Sequence, residues 1–216
     1  MAACLIVTLL TCACLAFADS GDAVDPSLGS PFYKRDRPVL GAESAPVIVI
    51  EVMSYKCAHC RRFHELVFPT IRENYITPGK VRWIMIPASE DQADSSLAIF
   101  KLGRCADEQG DYWKLLDFMF ANGLRSSFAL DGLLDKETSV DAAGIKECMT
   151  SFRVRQEVMG DFRELGSLLQ TGLFQGTPTF YLRRKKPDGT FVEASISGEQ
   201  RLGYFSKALD QLLATP

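Results

Sequence analysis

The chain has little net charge, few histidines and no visible repeat or low-complexity tract, and these shortages narrow what it can be. A formal net charge of −3 across 216 residues leaves no electrostatic footprint for nucleic acid. The basic clusters Arg61-Arg62 and Arg183-Arg184-Lys185-Lys186 are short and read as a solvated face or turn. Charge is missing altogether from Ala2 to Ala18, and no Lys or Arg precedes that apolar run. The run is also short of the roughly 20 residues that a bilayer span needs. It closes with Ala16-Phe17-Ala18 before Asp19, small residues of the kind a signal peptidase accepts. Residues 1–18 are therefore predicted to be a signal peptide cleaved after Ala18, with an uncleaved anchor as the alternative. Lipid attachment at Cys12 or Cys14 is disfavoured, because Leu-Leu-Thr-Cys and Thr-Cys-Ala-Cys are poor lipobox sequences.

Hydrophobic residues make up 47% of the sequence and charged ones 24%, which suits a soluble globular chain with one sizeable core. Residues 19–38, rich in Gly, Pro, Ser and Asp, read as a mobile lead-in. Pro46-Val-Ile-Val-Ile-Glu-Val-Met53 is a β-branched run interrupted by Glu51, as in a strand buried on both faces. From Cys57 to about Tyr75 the pattern is helical, with Phe63, Val67 and Ile71 four apart and a kink expected at Pro69. Val81 to Ile86 is a second buried strand, so residues 39–91 open with a βαβ unit.

The next signals, over 92–171, are helical: Tyr112 to Phe120, Asp141 to Met149, and a long stretch setting Val154, Val158, Phe162, Leu165 and Leu169 on one face. Gly172 is placed to end that helix. Strands resume over 172–216, at Thr179 to Leu182 and, past a Pro187-Asp-Gly189 turn, Phe191 to Ser195. The last helix aligns Leu202, Phe205, Leu209 and Leu212. The layout is an α/β domain split by a helical insertion.

Of seven cysteines, Cys4, Cys12 and Cys14 would leave with the signal, and Cys57, Cys60, Cys105 and Cys148 would remain. An even count in an oxidising compartment suggests two pairs, and the close spacing of Cys57 and Cys60 favours one of the three possible pairings. Both histidines, His59 and His64, lie in the same segment, Cys57-Ala-His-Cys-Arg-Arg-Phe-His64. Zinc would take Cys57, Cys60 and His64, but a fourth ligand is missing nearby, so no metal is expected. A purely structural bond between Cys57 and Cys60 is also poor, since so short a loop removes little entropy from the unfolded chain.

A redox pair uses every neighbouring feature. A helix opening at Cys57 leaves its sulfur beside unpaired N–H groups and the positive end of the helix dipole, which favours the thiolate. His59 is a candidate to tune that thiolate. Cys60, one turn further in, is the candidate resolving thiol. Glu51 is the candidate for relaying its proton, because an acid is costly to bury without a purpose.

With these elements in place, the sequence resembles the thioredoxin superfamily, in its DsbA-like exported branch. The resemblance rests on Cys57-Ala58-His59-Cys60, on Glu51, and on Gly176-Thr177-Pro178-Thr179-Phe180, which is similar to the cis-proline segment of that family. It implies a thioredoxin fold with an inserted helical domain and a thiol oxidase needing no cofactor. It also implies that Thr177 and Pro178 dock the substrate backbone and that a DsbB-like membrane partner restores the disulfide. Substrates would be exported proteins with free cysteines, and the chain would be a monomer. Cys105 and Cys148 resemble the second, structural disulfide of alphaproteobacterial DsbA-like proteins. Two departures stand out: Ala58 replaces the usual Pro, and Thr177, shared with DsbC-type isomerases, replaces the common Val. An isomerase or reductase on the same fold is therefore the first rival, and a non-redox, chaperone-like binding module the second.

Overall fold

The computed structural model describes residues 37–89, 94–122, 140–170 and 176–215. The predicted signal peptide, its cleavage point after Ala18, most of the lead-in, and Gly172 lie outside the described residues.

Five strands form one mixed sheet in the order β1-β3-β2-β4-β5: Val39–Leu40, Val81–Pro87, Val47–Met53, Thr179–Lys185 and Phe191–Ser197. The central pair β2/β3 is parallel, and every other pairing is antiparallel. This is the thioredoxin arrangement, and the parallel pair explains the apolar runs, because both faces of β2 and β3 are covered. The crossover between them contains α1 (Ala58–Leu66), α2 (Phe68–Ile71) and a π-helical turn at Arg72–Ile76. One kinked helix was expected there, but the break precedes the proline. Val67 closes α1, and Pro69 falls in the first turn of α2, where its missing N–H costs nothing.

Among the described residues, four helices stand between β3 and β4: α3 (Asp94–Glu108), α4 (Tyr112–Ala121), α5 (Ala142–Thr150) and α6 (Phe152–Gln170). Asp141 caps α5 by accepting from the Gly144 N–H. Helix α3 packs against α4, α5 and α6, and α7 (Leu202–Ala214) packs beside β2 and β4.

Two apolar clusters result. One joins Val47, Val49, Phe63, Trp83, Phe180 and Phe205, with the Phe63 and Phe180 ring centres 4.6 Å apart. The other joins Met53, Cys60 and Met85 to the inserted helices. Alternation along β2 puts Val49, Glu51 and Met53 on one face. Glu51 therefore lies between a residue of the first cluster and a residue of the second. The insertion also grips the loop after β2. Tyr55 meets the Phe100 ring edge-on at 5.2 Å and donates its hydroxyl to Tyr112 at 3.2 Å. A Cβ at Gly103 would strike that same Tyr55 hydroxyl, so α3 carries a glycine where the tyrosine arrives.

Candidate active site

Cys57 is the N-cap of α1, with extended backbone, and its sulfur accepts the Cys60 N–H at 3.2 Å. A cysteine thus does what serine or aspartate usually does at this position: it satisfies an otherwise unpaired donor of the first turn. The half-buried Cys57 sulfur lies 3.3 Å from the Thr177 carbonyl oxygen, which accepts from it while it is a thiol. The Thr177–Pro178 peptide is cis. Its loop is tied to the end of β5 by the Gly198 N–H, which donates to the Pro178 carbonyl at 2.8 Å. Segments at the head of α1 and before β4, distant in sequence, thus meet at one sulfur.

The two thiols are unequal. The Cys57 thiol is held down to about 5 from an ordinary 9.0. The hydrogen bond from the Cys60 thiol contributes most, with burial opposing it, followed by the Thr177 hydroxyl and the N–H groups of Cys60 and His59. Cys60 is pushed far up, by burial first, then by its role as donor to Cys57, and further by the charges of Cys57 and Glu51. One sulfur is ready as a thiolate; the other holds its proton.

The structure places the remaining predicted residues in two groups. His59 contributes its backbone N–H toward Cys57, but its exposed ring points to the rim. There its Nδ1 is 3.1 Å from Glu199, and Arg62 forms a 2.7 Å ion pair with the same carboxylate. Glu51 is fully buried, and its charge acts on Cys60. The Trp83 Nε1–H donates to its Oε2 at 2.9 Å, and His64 Nε2 lies 2.9 Å and 3.1 Å from its two oxygens. Sequence reasoning considered His64 only as a zinc ligand. Its place four residues after Cys60 puts both on one face of α1, the available signal for a partnership with Glu51. Glu199 went unnoticed, because nothing in Ser197-Gly-Glu199 marks it apart from a turn. Among the described residues no cluster of three potential metal ligands occurs. Cys105 and Cys148 are bonded, bridging α3 and α5 far from Cys57 in sequence.

The comparisons with known proteins agree with this geometry. The family model described as Thioredoxin matches residues 34–200. Disulfide bond formation protein D of Bacillus subtilis is 28% identical over 168 residues, covering 74% of this chain and 73% of that protein. A Rickettsia conorii relative, named as a protein-disulfide oxidoreductase, is 24% identical over 183 residues, and the chain spans only 60% of its length. Among solved structures, alpha-DsbA1 of Wolbachia pipientis superposes with a TM-score of 0.70 at 24% identity, covering 84% of this chain and 92% of that one. Oxidised BdbD from Bacillus subtilis follows at 0.63 and 19%, covering 83% and 94%. The chain belongs to the thioredoxin family, as a thiol:disulfide oxidoreductase with the DsbA fold.

Proposed function

We propose that the protein works as an oxidase, introducing disulfides into exported proteins by giving away its Cys57–Cys60 bond. The observation that carries this reading is the inequality of the two sulfurs, with Cys57 held down to about 5 and Cys60 pushed up. Stabilising the Cys57 thiolate stabilises the reduced protein, so its disulfide is a strong oxidant.

A substrate thiolate attacks the Cys57 sulfur, the Cys57–Cys60 bond breaks, and Cys60 leaves and takes up a proton. A second thiolate of the substrate then attacks the substrate sulfur of the mixed disulfide, and Cys57 leaves as a thiolate. One electron pair has passed from two substrate thiols to the protein. Thr177 and Pro178 border the sulfur and would lie alongside an extended substrate chain. Reoxidation falls to a DsbB-like membrane protein, which takes the pair of electrons back.

An oxidising compartment suits the Cys105–Cys148 bond, so the reading places the mature protein in the periplasm, with residues 1–18 removed as a signal peptide. All site residues come from one chain, so a monomer suffices.

The test is the redox equilibrium of the protein with glutathione, with the Cys57 thiolate absorbance followed against pH in the same samples. A potential near about −120 mV with an acidic thiol supports the oxidase. A value near about −270 mV reverses electron flow and makes the protein a reductase or isomerase. Ala58 between the two cysteines and the Thr177 hydroxyl at Cys57 are the features on the side of that second reading.

A further inference from the structure

The rim that holds the His59 ring has one hydrogen bond too many. Arg62 Nη2 lies 2.7 Å from Glu199 Oε2 and 2.8 Å from His59 Nδ1, and that Nδ1 lies 3.1 Å from the same Oε2. A guanidinium can only donate and a carboxylate can only accept. With a bare lone pair, His59 Nδ1 takes the Arg62 N–H and turns an acceptor toward Glu199. With a proton, it donates to Glu199 and turns that proton toward Arg62. One of the three contacts is unmet in either form, so the triangle is not a settled lock.

The triangle stands beside the reacting sulfur. Arg62 and His59 are on α1, in the two turns that Cys57 opens. Glu199 follows Gly198, whose N–H holds the Pro178 carbonyl, so the acid comes from the cis-proline side. The Arg62 charge reaches the Cys57 sulfur. Its side chain is 45% exposed, so it can be met from solvent. The Arg62 hydrogen bond holds the Glu199 carboxyl below its ordinary range, which keeps it charged. Residues 54–66 carry Lys56, Arg61 and Arg62 against Glu65, and Glu199 brings a second acid. These five side chains leave one positive charge beside the site, on a chain whose net charge is −3.

Resting on the redox reading of Cys57, we propose that this rim selects substrates by charge: Arg62 receives an acidic side chain flanking the substrate's cysteine, and Glu199 is the internal carboxylate that it displaces. The arriving carboxylate takes the planar fork of Arg62, which suits it in geometry as well as charge. Glu199 then keeps His59 as its Nδ1–H donor, and every contact of the triangle is met. A lysine or arginine at the same place meets cations instead. The partner that fits is an extended segment with Asp or Glu beside its thiol. Arg61-Arg62, a solvated face by its spacing, thus gains a task for its second member.

The experiment uses the oxidised full protein and two dithiol peptides that differ only in the residues flanking each cysteine, Asp in one and Lys in the other. Each oxidation rate is divided by that peptide's rate with a small uncharged disulfide, because flanking charge also alters the acidity of the peptide thiol. At low ionic strength the Asp peptide should react roughly two- to fivefold faster than the Lys peptide, the usual reach of an exposed ion pair. At about 1 M salt, where the Debye length is about 3 Å, the preference should fade. Arg62→Gln should bring the ratio close to one, and Arg62→Lys should keep part of it. Glu199→Gln, which removes the internal competitor, should raise it. Each ratio is taken within one protein, so differences in folded fraction or in Cys57 reactivity cancel. A wild-type ratio near one at low salt, or a ratio that Arg62→Gln leaves untouched, would overturn the proposal. A protein that reduces these peptides rather than oxidising them would sink the oxidase reading alone. Both directions pass through the same mixed disulfide, and the ratio is then read on the peptide disulfides.

Discussion

Cys57 and Cys60 stand as free thiols at the mouth of α1, whereas Cys105 and Cys148, 43 residues apart in the helical insertion, are bonded. The same side chain serves opposite ends because its surroundings differ. At the mouth of α1 the chain offers one sulfur a ring of donors and buries the other, so the electron pair is worth moving. In the insertion the bond ties two helices, and Cys105 is fully buried. The carboxylate of Glu108 lies 3.7 Å from Cys148, and Arg153 pairs with that acid. A carboxylate does not favour a neighbouring thiolate. The first region is arranged for exchange, the second for keeping its bond.

The largest effect separating the regions should come from Cys57→Ala, which removes the sulfur that substrates attack. Oxidation of a dithiol peptide by the purified variant should fall to the rate of buffer alone. Retained biological activity in a Cys57→Ala, Cys60→Ala protein would instead favour a binding module that works through its groove. Next is the double change Cys105→Ala, Cys148→Ala. Opening a 43-residue separation should cost about 4 kcal/mol by loss of loop constraint in the unfolded chain. In a protein of this size that is a fall of about 8–16 °C in Tm by calorimetry. The Cys57 alkylation midpoint should hold. A shifted midpoint would show that the insertion tunes the dithiol, and the comparison would have to be redrawn as one coupled system.

A subtler difference lies in pH. The folded Cys57 value of about 5 lies below its ordinary 9.0, so the thiolate adds stability that is complete above 9.0 and is lost as pH falls through about 5. The disulfide form lacks this titration. The melting temperature of the reduced protein should therefore gain on that of the oxidised protein as pH rises across this window. Above 9.0 the raised Cys60 thiol acts in the opposite sense, so the gain stops there. Thermal melts of both redox forms over the range check it; parallel curves would mean that Cys57 has an ordinary thiol. The smallest effect belongs to the rim. Glu199→Gln weakens an Arg62–His59 cluster that is largely exposed and screened by solvent, so its loss should hardly change stability. Chemical denaturation should show only that small change. A large shift in Cys57 reactivity would place the rim inside the active site.

Much of this architecture was legible because it repeats locally. The β-branched runs at Val47 and Val81 marked the parallel pair, and the three- and four-residue steps from Leu202 marked α7. Cys57 as the opening of a helix could be read from the strand before it and the helical pattern after it. Misreadings came where a local rule had two solutions. Pro69 was taken as a kink within one helix, yet the chain stops at Val67 and starts again, placing the proline in a first turn. His59 does bear on the sulfur, but through its backbone N–H, while its ring lies against Glu199, 140 residues away. Gly103 has no visible purpose until Tyr55 arrives above it.

The sequence by itself determined the elements, the motif and the class of chemistry, since periodicity and the Cys-Ala-His-Cys spacing act within one helix or strand. Only the tertiary structure decided which groups set each sulfur and each proton. Thr177 reaches Cys57 across 120 residues, and Trp83 and His64 converge on Glu51 from separate elements. Burial and hydrogen-bond partners act over a few ångströms in space, and no spacing along the chain records which distant residues will come that close.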